Sequence, residues 1–228
     1  LTTEGQLTAE AYSAIERLHK AGFKTIPITG RPAGWCDHIA RMWPVDAVVG
    51  ENGAFYFRYD HTTRKMIRRY IDDDATRALH REQLRAIANE ILKAVPGCAI
   101  AADQPYRETD LAIDFCEDVK PLSREAVESI ATLMHKRGLT AKISSIHVNG
   151  WFGTYDKLGM TRTLMHEAFN VDLDAERERY VFAGDSPNDE PMFAFFPNAV
   201  GVANVNDFAA LITRFPAYIT QARSEEHT

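Results

Sequence analysis

Gly184-Asp185-Ser186-Pro187-Asn188-Asp189 follows a short apolar run, 180–183, and sets two carboxylates four residues apart at its end. In an open α/β sheet the ligand crevice lies beyond the carboxyl ends of the strands, so a strand ending in Gly-Asp delivers its carboxylate there. Hard oxygen ligands at such a point suit Mg²⁺ together with a phosphate. The same residues also read as a loop that opens a helix, with Ser186 or Asn188 as cap and the acids favoured by the helix N-terminus. Around this stretch the elements alternate: a helix over 159–169, a helix from Glu190, a strand over 198–202 and a helix from Asp207.

Three further segments add chemistry. Residues 23–28 read as a buried strand that ends in Thr29-Gly30-Arg31, placing a hydroxyl, a flexible backbone and a guanidinium together. Such a trio can hold a phosphate. Residues 45–49 form another apolar strand, ending in Gly50-Glu51-Asn52-Gly53, and Lys157 is a point charge ahead of the helix over 159–169. Taken alone, Lys157 also reads as an ordinary surface lysine with an i,i+4 partner.

Taken in order, Ile28-Thr29-Gly30-Arg31, Gly50-Glu51-Asn52-Gly53-Ala54, Asp156-Lys157-Leu158-Gly159 and the 184–189 segment resemble the haloacid dehalogenase-like hydrolases. The nearest pattern is subclass IIB, the sugar-phosphate phosphatase type that includes mannosyl-3-phosphoglycerate, sucrose and trehalose phosphate phosphatases. Several separated motifs are more specific than any one of them. The resemblance implies an α/β fold, with a Rossmann-like parallel-sheet core and an inserted α+β cap domain. It also implies a two-step phosphoryl transfer through an aspartyl-phosphate, with Mg²⁺ as cofactor. Carried over residue by residue, Thr29 donates to a phosphoryl oxygen and Lys157 neutralises charge. Asp185 binds the metal, and Asp189 holds metal-bound water or orients Asp185. Ser186 and Asn188 serve the same site, and Arg31 and Asn52 contact substrate.

The Asp-x-Asp pair that supplies the family's nucleophile has no counterpart near Leu1, and the opening Leu-Thr-Thr-Glu-Gly-Gln-Leu-Thr resembles the stretch normally found just after that pair. The expectation is an N-terminally truncated sequence. Asp72-Asp73-Asp74 does not substitute, since it precedes a long helix and reads as N-cap and first-turn charge. Residues 223–228 read either as a non-native tail or as an ordinary polar terminus.

With 228 residues, 45% hydrophobic and 25% charged, the chain can bury a substantial core. A formal charge of -6 argues against nucleic-acid or membrane surfaces as partners and leaves a local phosphate pocket possible. The oligomeric state is not readable. Three cysteines without a CxxC pair point to a reducing, cytoplasmic setting. No apolar stretch reaches spanning length.

Along the chain, Thr8 caps a helix with Ala11, Ile15 and Leu18 on its apolar face, and a second helix covers 32–42. Residues 55–57 and 65–70 form a hairpin. From Asp74 the order becomes helix, strand, strand, given twice: helices over 74–95 and 123–137, strands over 98–102, 111–115, 141–146 and 147–152. This predicts an antiparallel sheet with two helices on one face. The boundaries are then 1–72 for the first part of the core, 73–152 for the cap, and 153–222 for the second part of the core. On the strands toward 152, Ser144, Ser145, His147, Asn149 and Trp151 read either as a sugar-binding face or as ordinary strand positions with Trp151 in the core. The functional expectation is a Mg²⁺-dependent phosphatase of a small phosphorylated metabolite, a sugar phosphate or phosphoglycerate derivative. Alternatives are a phosphomutase and a non-catalytic phosphometabolite-binding module.

Overall fold

The computed structural model describes residues 7–144, 146–209 and 212–222. In chain order the principal elements are α1 (Ala9–Lys20), α2 (Ala33–Met42), β1 (Val48–Gly50), β2 (Phe55–Asp60), β3 (Lys65–Tyr70), α3 (Asp74–Ala94), β4 (Ala99–Ile100) and β5 (Asp110–Asp114). Next come α4 (Arg124–Lys136), β6 (Thr140–Ile143), β7 (His147–Trp151), α5 (Lys157–Phe169), α6 (Leu173–Glu176), β8 (Val181–Gly184), α7 (Glu190–Phe195), β9 (Asn198–Gly201) and β10 (Tyr218–Ile219). No described helix is long and apolar enough to cross a membrane.

Two compact units emerge, the first drawn from the described parts of Leu1–Ile26, Trp43–Asp46 and Thr161–Thr228. Its sheet has the order β10-β9-β8 with all pairings parallel. Phe182, alone buried along β8, packs against Phe193 and Phe196 at centroid distances of 5.7 and 6.0 Å, and Met192, Ala199 and Val205 close the same core. Among the described residues β8 pairs on one side only, and Val181 is 72% exposed.

The segment over 23–28 departs from expectation. Phe23 is 64% exposed, and the only bridge described is Ile28 to Val49, parallel. Pro27 lacks a donor, so the chain can accept from Val49 N (2.9 Å) but cannot return a bond at that position. Helix α1 starts where predicted, Thr8 Oγ1 accepting from Ala11 N at 3.2 Å, yet it buries no residue and Leu18 is exposed. Periodicity places apolar residues on one face of a helix but does not supply what covers them. The expected helix from Asp207 is a 3₁₀ segment, Ala203–Phe208, and its continuation through 210 and 211 lies outside the described residues.

The second unit comprises Pro27–Met42 and Ala47–Met160. One sheet is the antiparallel meander β1-β2-β3. The other has the order β4-β5-β7-β6, also antiparallel. Asp73 caps α3 by accepting from Thr76 N at 2.8 Å, and Ser123 caps α4. In α3 the buried residues Leu84, Ile87, Ala88 and Ile91 lie at i, i+3, i+4, i+7 spacing, one helical stripe. They meet Val127, Ile130 and Met134 of α4 and Leu111, Ile113 and Val148 of the sheet. Both helices therefore cover one face, as the helix-strand-strand pattern predicts. Alternation sends Asp110, Ala112 and Asp114 of β5 to the other face with His147, Asn149 and Trp151 of β7; register sets Asp110 opposite Trp151 and Asp114 opposite His147. Every one of these is buried.

Candidate active site

In the second unit a tight set of loops carries four of the sequence-derived residues. Thr29 Oγ1 accepts from Arg31 N at 3.0 Å, a local turn that folds the Thr29-Gly30-Arg31 loop on itself. The Thr29 carbonyl accepts from Asn52 N at 3.2 Å. Asn52, buried and left-handed (φ 57°), lies against Gly30, where an added Cβ would stand 3.0 Å from Asn52 Oδ1. A Cβ added at Gly53 would stand 2.0 Å from the Asp156 carbonyl oxygen and 2.8 Å from Lys157 N. Asp156 caps α5, its Oδ1 accepting from Gly159 N at 2.7 Å, and Lys157 is the first helical residue. The Thr29 loop, Asn52 and the start of α5 thus pack backbone to backbone, bringing a hydroxyl, an amide and an ammonium-bearing residue into one neighbourhood.

Behind these loops lies a buried charge network that no sequence motif announces. Arg107, its side chain 1% exposed, donates from Nε and Nη2 to Asp103 Oδ1 and Oδ2 at 2.9 Å each. Its Nη1 donates to Asp110 Oδ1 and Oδ2 at 2.9 and 3.0 Å, and to the Gly30 carbonyl at 3.0 Å. Asn149 Nδ2 donates to Asp110 Oδ2 at 3.1 Å. A planar guanidinium supplies five donors in a fixed fork, which is why arginine can serve two carboxylates and a carbonyl at once. Arg31 extends the network: its Nη1 lies 3.6 Å from Asp103 Oδ2 and 3.9 Å from Glu117 Oε1, and its guanidinium sits 4.7 Å over the Trp35 ring. Glu117 Oε2 is 2.8 Å from His147 Nε2, close as a pair although without hydrogen-bond geometry, so the ring nitrogen stays unsatisfied.

Glu51 is fully buried, and its Oε1 accepts from Ala33 N at 2.8 Å and Glu108 N at 2.9 Å. Its Oε2 accepts from Thr109 N at 2.7 Å and from the Thr109 hydroxyl. One carboxylate therefore ties the start of α2 to the strand-entry loop before β5. Burial, with the Asp110 charge second, pushes the Glu51 carboxyl up to about 7 against those hydrogen bonds. A carboxyl whose pKa is higher folded than unfolded binds its proton more tightly in the native state. Its contribution is full below about 4.5 and is lost as pH rises through about 7. Chemical denaturation between pH 4.5 and 8 is expected to show this loss, and Glu51→Gln should remove much of it. An unchanged slope in the variant would contradict the assignment.

In the first unit β8 ends at Gly184 opposite Gly201, and the chain turns through a 3₁₀ segment, Pro187–Asp189, into α7. Asp189 is buried, and its Oδ2 accepts from Asp185 N at 3.1 Å and from Ser186 Oγ at 3.4 Å. Asp189 N donates to the Ser186 carbonyl at 3.0 Å. An added Cβ at Gly184 would stand 2.6 Å from Asp189 Oδ2, so the glycine makes room for that carboxylate. Asp185 is exposed, and Ser186 and Asn188 are half-buried. Asp189 thereby organises the turn that presents Asp185.

Among the described residues no group of three or more His, Cys, Asp or Glu side chains is placed to hold a metal. Mg²⁺ takes one or two carboxylates and fills its remaining positions with water and phosphate oxygens. An exposed Asp185 beside a fixed Asp189 is a donor set of that kind, and in this respect the residues fit the ion.

The structure gathers Thr29, Arg31, Asn52 and Lys157 in one unit and Asp185, Ser186, Asn188 and Asp189 in the other. Trp151 is fully buried, its ring 5.8 Å from that of Tyr155 and nearly parallel to it, so it is a core residue. Asn149 is committed to Asp110, and Ser144 Oγ to the His147 carbonyl at 2.9 Å. Ser145 and residues 223–228 lie outside the described residues. The period-2 pattern Asp110-Leu111-Ala112-Ile113-Asp114 does signal a polar strand face. The reach of Arg107 to Gly30, 77 residues away, has no local signature.

Residues 1–91 match the family profile described as haloacid dehalogenase-like hydrolase. Over nearly its whole length the chain shares the fold of subclass IIB sugar phosphatases. A Thermoplasma acidophilum protein of solved structure aligns at a TM-score of 0.71 and 17% identity, covering 99% of this chain and 88% of that one. A subclass IIB sugar phosphatase aligns at a TM-score of 0.61 and 14% identity, covering 94% and 86%. The sucrose-phosphatase of Synechocystis sp. PCC6803, solved with sucrose and phosphate, aligns at 0.61 and 14% identity, covering 96% and 89%. A search of curated proteins by sequence gave no match. At these identities the structural likeness carries the fold.

Proposed function

We propose that the protein is a Mg²⁺-dependent phosphatase of a small phosphorylated metabolite, a sugar phosphate or phosphoglycerate derivative, with residues 73–152 as its specificity cap. The observation that carries this reading is the packing of the Thr29 loop and Asn52 against the start of α5 through Gly53. In the proposed reaction the Thr29 hydroxyl donates to a phosphoryl oxygen and Lys157 offsets the negative charge of the transferring group. Asp185 would hold the metal, with Asp189 fixing its backbone and Ser186 and Asn188 flanking it. When bound, the ion supplies charge stabilisation to the phosphoryl oxygens. The nucleophile is assigned to an Asp outside this sequence, on a strand beside β8. Among the described residues β8 pairs on one side only and Val181 is exposed, which supports that assignment.

The test is phosphate release from a panel of sugar phosphates and phosphoglycerates, with Mg²⁺ or EDTA, by this chain and by the same chain carrying its upstream coding sequence. Turnover is expected only in the longer chain and only with Mg²⁺. There, Asp189→Asn is expected to weaken apparent Mg²⁺ affinity about 10- to 100-fold. Ligand binding without turnover in either chain would instead favour the binding module or the phosphomutase.

A further inference from the structure

We infer that the cleft between α3 and the loop before β5 is a binding site for a small monocarboxylate with an apolar body, read by Arg81 and Arg85. The inference stands apart from the phosphatase reading, and none of the residues assigned to phosphate or metal lines the cleft.

The cleft encloses about 740 Å³, within the range of small-molecule sites. One of its walls is fixed in advance. Ala101 N donates to the Ala112 carbonyl at 3.0 Å, and Gln104 N donates to the Ala101 carbonyl at 2.9 Å. The Gln104 side chain then closes the turn against β5, its Nε2 donating to the Asp110 carbonyl at 2.9 Å and its Oε1 accepting from Ala112 N at 2.8 Å. With those polar groups turned to β5, the side chains this wall offers a ligand are apolar: Ala102, Pro105 and, on the edge strand β4, Ile100, all exposed. Such surface gains from being covered by an apolar body.

The other wall carries charge. Arg81 and Arg85 stand four residues apart on α3, neighbours on one helix face where like charges oppose each other. Arg81 is answered at long distance, its Nη1 3.3 Å from Glu108 Oε2 and 3.4 Å from the Glu108 carbonyl. Among the described residues Arg85 has no carboxylate partner. Arg107, also on the lining, is spent on Asp103 and Asp110. Arg81 and Arg85 thus stand against Glu108 alone, one positive charge in surplus. A single carboxylate balances that surplus and matches the guanidinium fork with two parallel N–H donors. A phosphate dianion would overshoot it beside Glu108, and the apolar side chains opposite give its third oxygen no donor.

Titration calorimetry on the 228-residue chain tests this with benzoate as the probe and benzamide as its uncharged counterpart. Benzoate is expected to bind at least about tenfold more tightly than benzamide, and inorganic phosphate, assigned to the Thr29 loop, should not displace it. Arg85→Ala should weaken benzoate about tenfold, and Arg85→Lys should recover only part of the loss because the fork is gone. Thr29→Ala should leave benzoate within about twofold, which separates this cleft from the candidate active site. Arg85 is exposed, so its variants should keep the wild-type thermal midpoint. Absence of benzoate binding, or binding unchanged in Arg85→Ala, would overturn the site. Equal binding of benzamide, or displacement of benzoate by phosphate, would overturn the ligand class.

Discussion

Arg107→Met is expected to cost about 3–5 kcal/mol of unfolding free energy, because it strands Asp103 and Asp110 as buried carboxylates without their counter-charge. Both acids are almost wholly buried, and Arg107 provides four of the hydrogen bonds they receive. The loss extends to function, since the same guanidinium holds the Gly30 carbonyl of the loop assigned to the phosphate. Lysine cannot replace it: a single ammonium has three donors on one point and cannot span two carboxylates and a carbonyl in one plane. Urea denaturation of wild type, Arg107→Met and Arg107→Lys would measure this. Adding Asp103→Asn and Asp110→Asn to Arg107→Met should restore part of the loss, because the neutral amides no longer demand a counter-charge. A cost below about 1 kcal/mol in Arg107→Met would mean that water reaches these acids and that the network is peripheral.

Gly53→Ala is expected to be nearly as damaging, for a steric reason. Its φ of 105° lies where L-residues are strained, at a cost of about 1–3 kcal/mol. The added methyl would also stand 2.0 Å from the Asp156 carbonyl oxygen, and backbone on both sides leaves no flexible side chain to yield. Overpacking of this kind costs about a further 1–3 kcal/mol. Thermal denaturation should show a fall of several degrees at least. In any folded fraction the start of α5 must shift, so phosphate binding should fall together with stability. Gly138→Ala serves as the comparison: it shares a positive φ of 80° but has open space around it, so only the conformational cost applies. Equal losses at the two positions would show that the close approach at Gly53 does not matter.

Much of this protein is legible in one dimension because its signals are local. The caps Thr8, Asp73 and Ser123 bond to backbone three residues on, and all three are readable as residue types at helix starts. The stripe Leu84, Ile87, Ala88, Ile91 announces which face of α3 is buried. The motif residues Thr29, Asn52, Lys157, Asp185 and Asp189 stand out because their spacing after apolar runs is itself the signal. Even the division of labour between Asp185 and Asp189 is half visible, since carboxylates four apart across a turn can bond back to the turn's own backbone.

Tertiary structure alone decided the rest. The stretch over 23–28 has the composition of a core strand, but burial depends on what lies beside it, and a chain cannot encode its neighbours in its own hydropathy. The role of Glu51 depends on partners 18 to 58 residues away, and the hold of Arg107 on the Thr29 loop on a carbonyl 77 residues away, brought near only when the sheet, α2 and the loop before β5 are assembled. A charged residue in isolation reads as surface, because exposing it to water is the cheapest place for it. Burial becomes favourable only once several donors and acceptors converge, and that convergence is a property of three dimensions. The sequence by itself thus determined the fold class, the phosphate-type motifs and the capped starts of α1 and α3, all of which rest on local residue pattern. What holds those motifs in place was decided by long-range packing, because electrostatics acts through distance in space and not along the chain.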